Sequence, residues 1–187
     1  YEILTCDWSS DVCSSDLELY RERGRTAEAE PLYRRSLATW DRVLGQNPLP
    51  PGAINQAAFA LNGLAAIERE RGTLESAEAL YKRAIALVED TRDRDHPLMS
   101  RSLQGLAGLY AQQEEYDRAE ILYKRAVAIL ESTLDRDHPR MAAVLQGLAG
   151  VYAQRKEYVA AEALLKDRKS TRLNSSHMSE SRMPSSA

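Results

Sequence analysis

Cysteine is almost absent. Cys6 and Cys13 are the only two, close together near one end, and cannot supply a disulfide framework. Nine glycines and seven prolines among 187 residues are too few for a collagen-like or linker-dominated chain. Aromatic residues make up only 6%, with a single phenylalanine. No apolar run approaches the roughly 18 residues that a membrane-spanning helix requires. No charged-then-apolar leader opens the chain, so no signal peptide is expected and a cytoplasmic location is. The chain starts at Tyr1 without an initiator methionine, as expected of a fragment. Net charge is −3, which gives no general attraction to nucleic acid or to an anionic membrane. The length and the 43% apolar content do allow a core, either of one ordinary domain or of a short repeat array.

The interior repeats itself. Leu103-Gln104-Gly105-Leu106-Ala107-Gly108 recurs 42 residues later as Leu145-Gln146-Gly147-Leu148-Ala149-Gly150. Residues 98–125 and 140–167 are identical at 16 of 28 positions. Asp93-Arg94-Asp95-His96-Pro97 recurs at 135–139, and Ala77-Glu78 with Leu80-Tyr81-Lys82-Arg83-Ala84 recurs at 119–126. Upstream, Ala29-Glu30, Leu32-Tyr33 and Arg35 match at an offset of 48, the extra residues falling in the loop 45–52. A fixed period of this size is the mark of a stacked repeat architecture.

Each repeat reads as two helices. Leu103, Leu106, Ala107 and Tyr110 keep the three-and-four spacing of a buried helical face. After a break near Glu114-Glu115, Tyr116, Ala119, Leu122, Tyr123, Ala126, Val127 and Leu130 keep it again. Proline suits the first helical position, and Asp or His before it can cap the first turn. Strand alternation is absent, and Ala, Leu, Glu and Arg dominate. Glu78, Glu120 and Glu162 precede Lys82, Lys124 and Lys166 by four residues, the favoured order for helix-surface ion pairs.

Chemistry is hard to place here. His96 and His138 hold equivalent loop positions, expected to be about 10 Å apart in adjacent stacked units, too far to share a zinc ion that each must approach to about 2 Å. Neither loop has the glycine that bends a calcium loop. No metal and no cofactor is expected. Residues 18–168 hold 22 basic and 23 acidic side chains, so Lys82-Arg83 and Lys124-Arg125 read as solvated helix surface, and no nucleic-acid groove is expected. There is no Gly-x-Ser-x-Gly elbow, phosphate loop or His-Glu-x-x-His, and a catalytic role is not expected.

The repeated residues resemble the tetratricopeptide repeat. Leu103, Leu106-Ala107, Tyr110, Tyr116, Ala119, Tyr123 and Ala126 follow its pattern. Leu61, Leu64-Ala65, Leu74, Ala77, Tyr81 and Ala84 follow it too, with Glu68 where the first-helix tyrosine belongs. Leu145, Leu148-Ala149, Tyr152, Tyr158 and Ala161 do so with Leu165 in place of the aromatic. The 42-residue period and the His-Pro phrase are similar to the kinesin-light-chain type. The resemblance implies an all-α fold, a right-handed α-solenoid of stacked antiparallel helix hairpins, since neighbouring repeats bury stripes that one repeat cannot. It implies burial of Leu64, Ala77, Tyr81, Ala84, Leu106, Ala119, Tyr123, Ala126 and Leu148.

The array is expected over 18–168: a partial unit 18–52, units 53–97 and 98–139, and a truncated unit 140–168. Serine-rich segments 1–17 and 169–187 break the register and are expected to be non-native, adapter-like flanks, so Trp8, the two cysteines and His177 carry no functional weight. A truncated end is expected to leave Leu148, Val151, Leu164 and Leu165 partly uncovered and to favour self-association.

First helices of such an array line a concave groove, and a protein or peptide partner is the expected ligand. Asn62, Gln104 and Gln146 hold one place in successive first helices and are expected to form a column of carboxamides. Gly108 and Gly150 would keep the floor open, while Arg101, Gln112 and Gln154 would offer side-chain contacts. Gly105 and Gly147 are expected to allow close helix packing. The alternative function is a structural or regulatory spacer in a larger signalling protein with ATPase or protease domains elsewhere.

Overall fold

The computed structural model describes residues 26–45, 50, 52–90, 97–133 and 138–166. The flanks 1–17 and 169–187, and His96, lie outside the described residues. Seven helices are described, and no strand occurs among the described residues. They fall into two compact bodies, Tyr1–Asp90 and Thr91–Ala187. The first holds α1 (Thr26–Leu44), α2 (Ala53–Glu70) and α3 (Leu74–Glu89). The second holds α4 (Pro97–Gln112), α5 (Tyr116–Thr133), α6 (Pro139–Gln154) and α7 (residues 158–166).

In the first body α2 packs against both α1 and α3. In the second, α5 packs against α4 and α6, and α4 also touches α6. All nine residues expected in the core are buried, with Ala77, Ala84, Ala119 and Ala126 sealed from solvent. At positions sealed this completely a larger side chain would have to displace its neighbours.

The expected role of Gly147 is met. A Cβ there would come within 2.5 Å of Cε1 and Cζ of Tyr123, so the α5 ring lies on bare α6 backbone. Gly63 on α2 stands in the same relation to Tyr33 on α1. The ring-on-glycine contact therefore recurs in both bodies.

The hairpin turns repeat with the same period. Gly72, Glu114 and Lys156, 42 residues apart, all have positive φ, at 83°, 62° and 63°. In each turn the following amide reaches back to the end of the first helix: Thr73 N–H donates to Glu68 O at 3.0 Å, Glu115 to Tyr110 at 2.9 Å and Glu157 to Tyr152 at 2.8 Å. This closure satisfies carbonyls that the helix end would leave unpaired. Only the first turn has glycine. Glu114 and Lys156 hold a left-handed conformation that costs an L-residue about 1 kcal/mol.

The proline phrase also behaves as its chemistry dictates. His138 caps α6, its Nδ1 accepting from the Arg140 N–H at 3.2 Å, and Pro139 takes the first helical position. One expectation is corrected. Leu148 and Val151 are buried rather than uncovered, because they lie on the packed side of α6. Leu164 and Leu165 of α7 are partly uncovered as expected, and Tyr158 and Val159 on the same helix are exposed.

Candidate functional site

The apolar stripe of α4 is turned inward, with Leu103, Leu106, Ala107 and Tyr110 all buried. What remains accessible is a line along the other side: Arg101, Gln104 and Gly108 half-buried, Gln112 exposed. The same phase of α6 carries Gln146, Gly150 and Gln154, all exposed. Since α4 and α6 touch, two polar, glycine-containing stripes of equal register stand on neighbouring helices of one body.

Gly150 differs from Gly147. A Cβ at Gly150 would meet nothing within 4 Å, so helix packing does not explain the absence of a side chain. Arg101 marks the N-terminal end of the α4 stripe. Burial, and then the charge of Arg140 on α6, pull its guanidinium down to about 10.

Asn62 does not share this environment. It is only 4% exposed, and its Oδ1 and Nδ2 are both buried without a hydrogen-bond partner. The expected column of equivalent carboxamides is thus not uniform: Asn62 is sealed, Gln104 half-buried and Gln146 open. Shared helical phase fixes which way a residue points from its own axis, but not what covers it.

A second polar arrangement was only partly legible. The three Glu-Lys pairs form as expected, with Lys82 to Glu78 at 2.6 Å, Lys124 to Glu120 at 2.7 Å and Lys166 to Glu162 at 2.8 Å. Glu120 does more: Tyr152 Oη donates to its Oε1 at 2.8 Å and Arg155 Nη1 to its Oε2 at 2.6 Å. Arg155 also reaches Asp117 at 3.1 Å. Glu120 thereby links α5 to α6, and the Lys124 hydrogen bond, with Tyr152 and Arg155 adding to it, holds its carboxyl below the ordinary range.

The first body builds the same link from other residues. Glu30 of α1 pairs with Arg71 and with Arg34, the latter at 2.9 Å, while Arg34 also reaches Glu68 of α2 at 3.2 Å. Thr73 Oγ1 donates to Glu68 Oε2 at 2.5 Å. Glu68, the departure from the repeat pattern at the tyrosine position, is therefore compensated by Arg34 standing where the later repeats have lysine. That exchange was visible in the aligned repeats, but its meaning required the contact across helices.

Among the described residues no group of three or more His, Cys, Asp or Glu side chains is gathered as a metal ion would need. No helix described is long and apolar enough to cross a membrane.

Three sequence models, each described as tetratricopeptide repeat, match residues 18–49, 56–132 and 123–170. No curated protein matches the chain. Among solved structures, BtubC (BKLC) from P. vanneervenii aligns with a TM-score of 0.64 at 21% identity, over 78% of this chain and 56% of that one. The apo form of RapI aligns with a TM-score of 0.67 at 15% identity, over 85% of this chain and 41% of that one. The chain thus spans about half the length of these two. A kinesin-light-chain-like protein of Podosopora anserina with nearly identical TPR-like repeats aligns with a TM-score of 0.52 at 19% identity, over 88% of this chain and 95% of that one. At these identities the likeness is one of fold, an all-α helical-repeat solenoid.

Proposed function

Because the chain belongs to the tetratricopeptide-repeat family, we propose that it is a protein-interaction scaffold whose α4–α6 face holds an extended segment of a partner. The observation that carries this reading is Gly150. A glycine inside a helix is destabilising by roughly 0.5–1 kcal/mol relative to alanine, and at Gly150 no packing contact accounts for it. Close approach of a ligand backbone does.

The flanking residues suit that use. Gln104 and Gln146 each donate and accept, so they can pair with peptide backbone whatever its side chains. Helices packed about 10 Å apart would meet an extended chain, advancing about 3.3 Å per residue, at every third position. Gln112 and Gln154 extend the two stripes, Gly108 lowers the floor of the first, and Arg101 offers a charge at one end. Asn62 is left out of the contact set, since its amide is shielded. The partner is read as a protein or peptide.

The test uses a partner segment mapped from a pull-down and titrated against the full chain. Gly150→Leu should fill the floor and abolish binding, and Gln104→Ala with Gln146→Ala should weaken it, none of them lowering thermal stability. Affinity that survives all three substitutions in a folded chain would remove this face from the function and leave the spacer reading.

A further inference from the structure

Both bodies contain one recurring interface, and α7 carries an unfilled half of it. In the α5–α6 version, Tyr123 of α5 lies on Gly147, and Glu120 accepts from Tyr152 and Arg155. In the α1–α2 version, Tyr33 lies at Gly63, and Glu30 pairs with Arg71. Forty-two residues beyond the α5 positions, α7 offers Tyr158, Ala161, Glu162, Leu165 and Lys166 for Tyr116, Ala119, Glu120, Tyr123 and Lys124. Ala161 is buried, like Ala119, so α7 is seated in the same orientation. Yet Leu165 is 44% exposed where Tyr123 is buried, and Tyr158 is 65% exposed where Tyr116 is half-buried.

Glu162 makes the point chemically. Its carboxylate pairs with Lys166 and is 66% exposed, whereas Glu120 also receives a phenol and a guanidinium from the helix seated beside it. Lys166 holds the Glu162 carboxyl below its ordinary value, so it is ionised at neutral pH and ready to accept.

We propose that the outer face of α7 is a docking surface for an amphipathic α-helix bearing Gly-x4-Tyr-x2-Arg, the surface chemistry that α6 presents to α5 through Gly147, Tyr152 and Arg155. The small residue seats over Leu165, and the tyrosine and arginine converge on Glu162. Two substitutions tune the fit. Leu165 is shorter than tyrosine, so alanine is tolerated at the glycine position. Val159 replaces Asp117, so the incoming arginine finds one carboxylate instead of two, and its aliphatic stem covers valine. With nine residues against eighteen in α5, the seat is small and the affinity correspondingly modest. This surface is independent of the α4–α6 face.

The probe is a labelled peptide with the sequence of residues 138–157, stapled on its solvent side because an isolated helix of this length is marginal in water. Titrated into the full chain and followed by anisotropy, it should bind saturably. Glu162→Lys, with folding checked by circular dichroism, should weaken binding about three- to tenfold, and Glu162→Gln should do so less. A peptide with Arg155→Glu should bind the native chain poorly and the Glu162→Lys chain well. A peptide with Gly147→Trp should not bind either. Absence of saturable binding, or binding indifferent to the charge swap, would overturn the proposal. So would a dimer in sedimentation that Leu165→Glu dissolves and the peptide fails to displace, since the occupant would then be a second copy.

Discussion

Two glycines three residues apart on α6 should respond to the same substitution with opposite sign. Gly→Ala in a helix interior stabilises by roughly 0.5–1 kcal/mol, because glycine loses more backbone freedom on folding. At Gly150 that is the whole effect, since the new Cβ meets nothing within 4 Å. At Gly147 the same Cβ arrives 2.5 Å from two ring carbons of Tyr123 and 2.6 Å from its hydroxyl. The ring is rigid and buried, so α5 and α6 must separate or the ring must leave its seat. Overpacking of this kind costs about 1–3 kcal/mol, which outweighs the backbone gain. Because backbone entropy changes equally in both variants, the gap between them measures the packing term alone. Urea unfolding of the two should give midpoints separated on the order of 1 M, with Gly150→Ala above the native chain and Gly147→Ala below it at equal slope. In a Tyr123→Leu background the penalty at Gly147 should largely vanish, a coupling that a double-mutant cycle isolates. Equal stabilisation by both alanines would refute the ring-on-glycine account.

Other substitutions test separate parts of the reasoning. Glu114→Gly and Lys156→Gly relieve a positive φ and should each stabilise by up to about 1 kcal/mol in the same assay; a loss of stability would mean the side chains matter more than the backbone. Ala119→Trp should destabilise by about 1–3 kcal/mol or more, because the residue is sealed between helices, and a wild-type melting temperature would contradict that placement. Asn62→Leu removes a buried amide that has no partner and should be neutral or stabilising by about 1 kcal/mol; a large loss would show that the amide is satisfied. Glu30, through Arg71 first, and Glu120, through Lys124 first, have carboxyls held below the ordinary 4.5. Depressed values favour the folded state above the unfolded value and lose that benefit as pH falls through the folded one. Stability should therefore fall below about pH 4.5, and Glu120→Gln should flatten that decline in urea titrations from pH 6 to pH 3.

The period of 42 residues, the helix pairs and the core positions were legible because each is a local regularity. Helical phase is set by residue spacing, so Ala77, Tyr81, Ala119 and Tyr123 could be assigned to the packed side without knowing what packs there. The His138 cap and the Glu-Lys pairs are equally local, spanning two and four residues. Even the compensation of Glu68 left a trace, in the paired departure of Arg34 and Glu68 from the later repeats.

What the tertiary structure alone decided is everything that depends on a second helix. Asn62, Gln104 and Gln146 share a phase, yet their exposure differs because burial is a property of the neighbours. Gly147 and Gly150 look alike in the sequence, and only the presence of Tyr123 over one and open space over the other separates a packing glycine from one that packing does not explain. Glu120 and Glu162 have identical local pairing, but one lies inside a completed interface and the other at an open edge. The amino-acid order determines secondary structure through interactions a few residues long. Whether a polar or small residue becomes a packing contact, an interhelical link or an available site depends on groups brought near from more than twenty positions away.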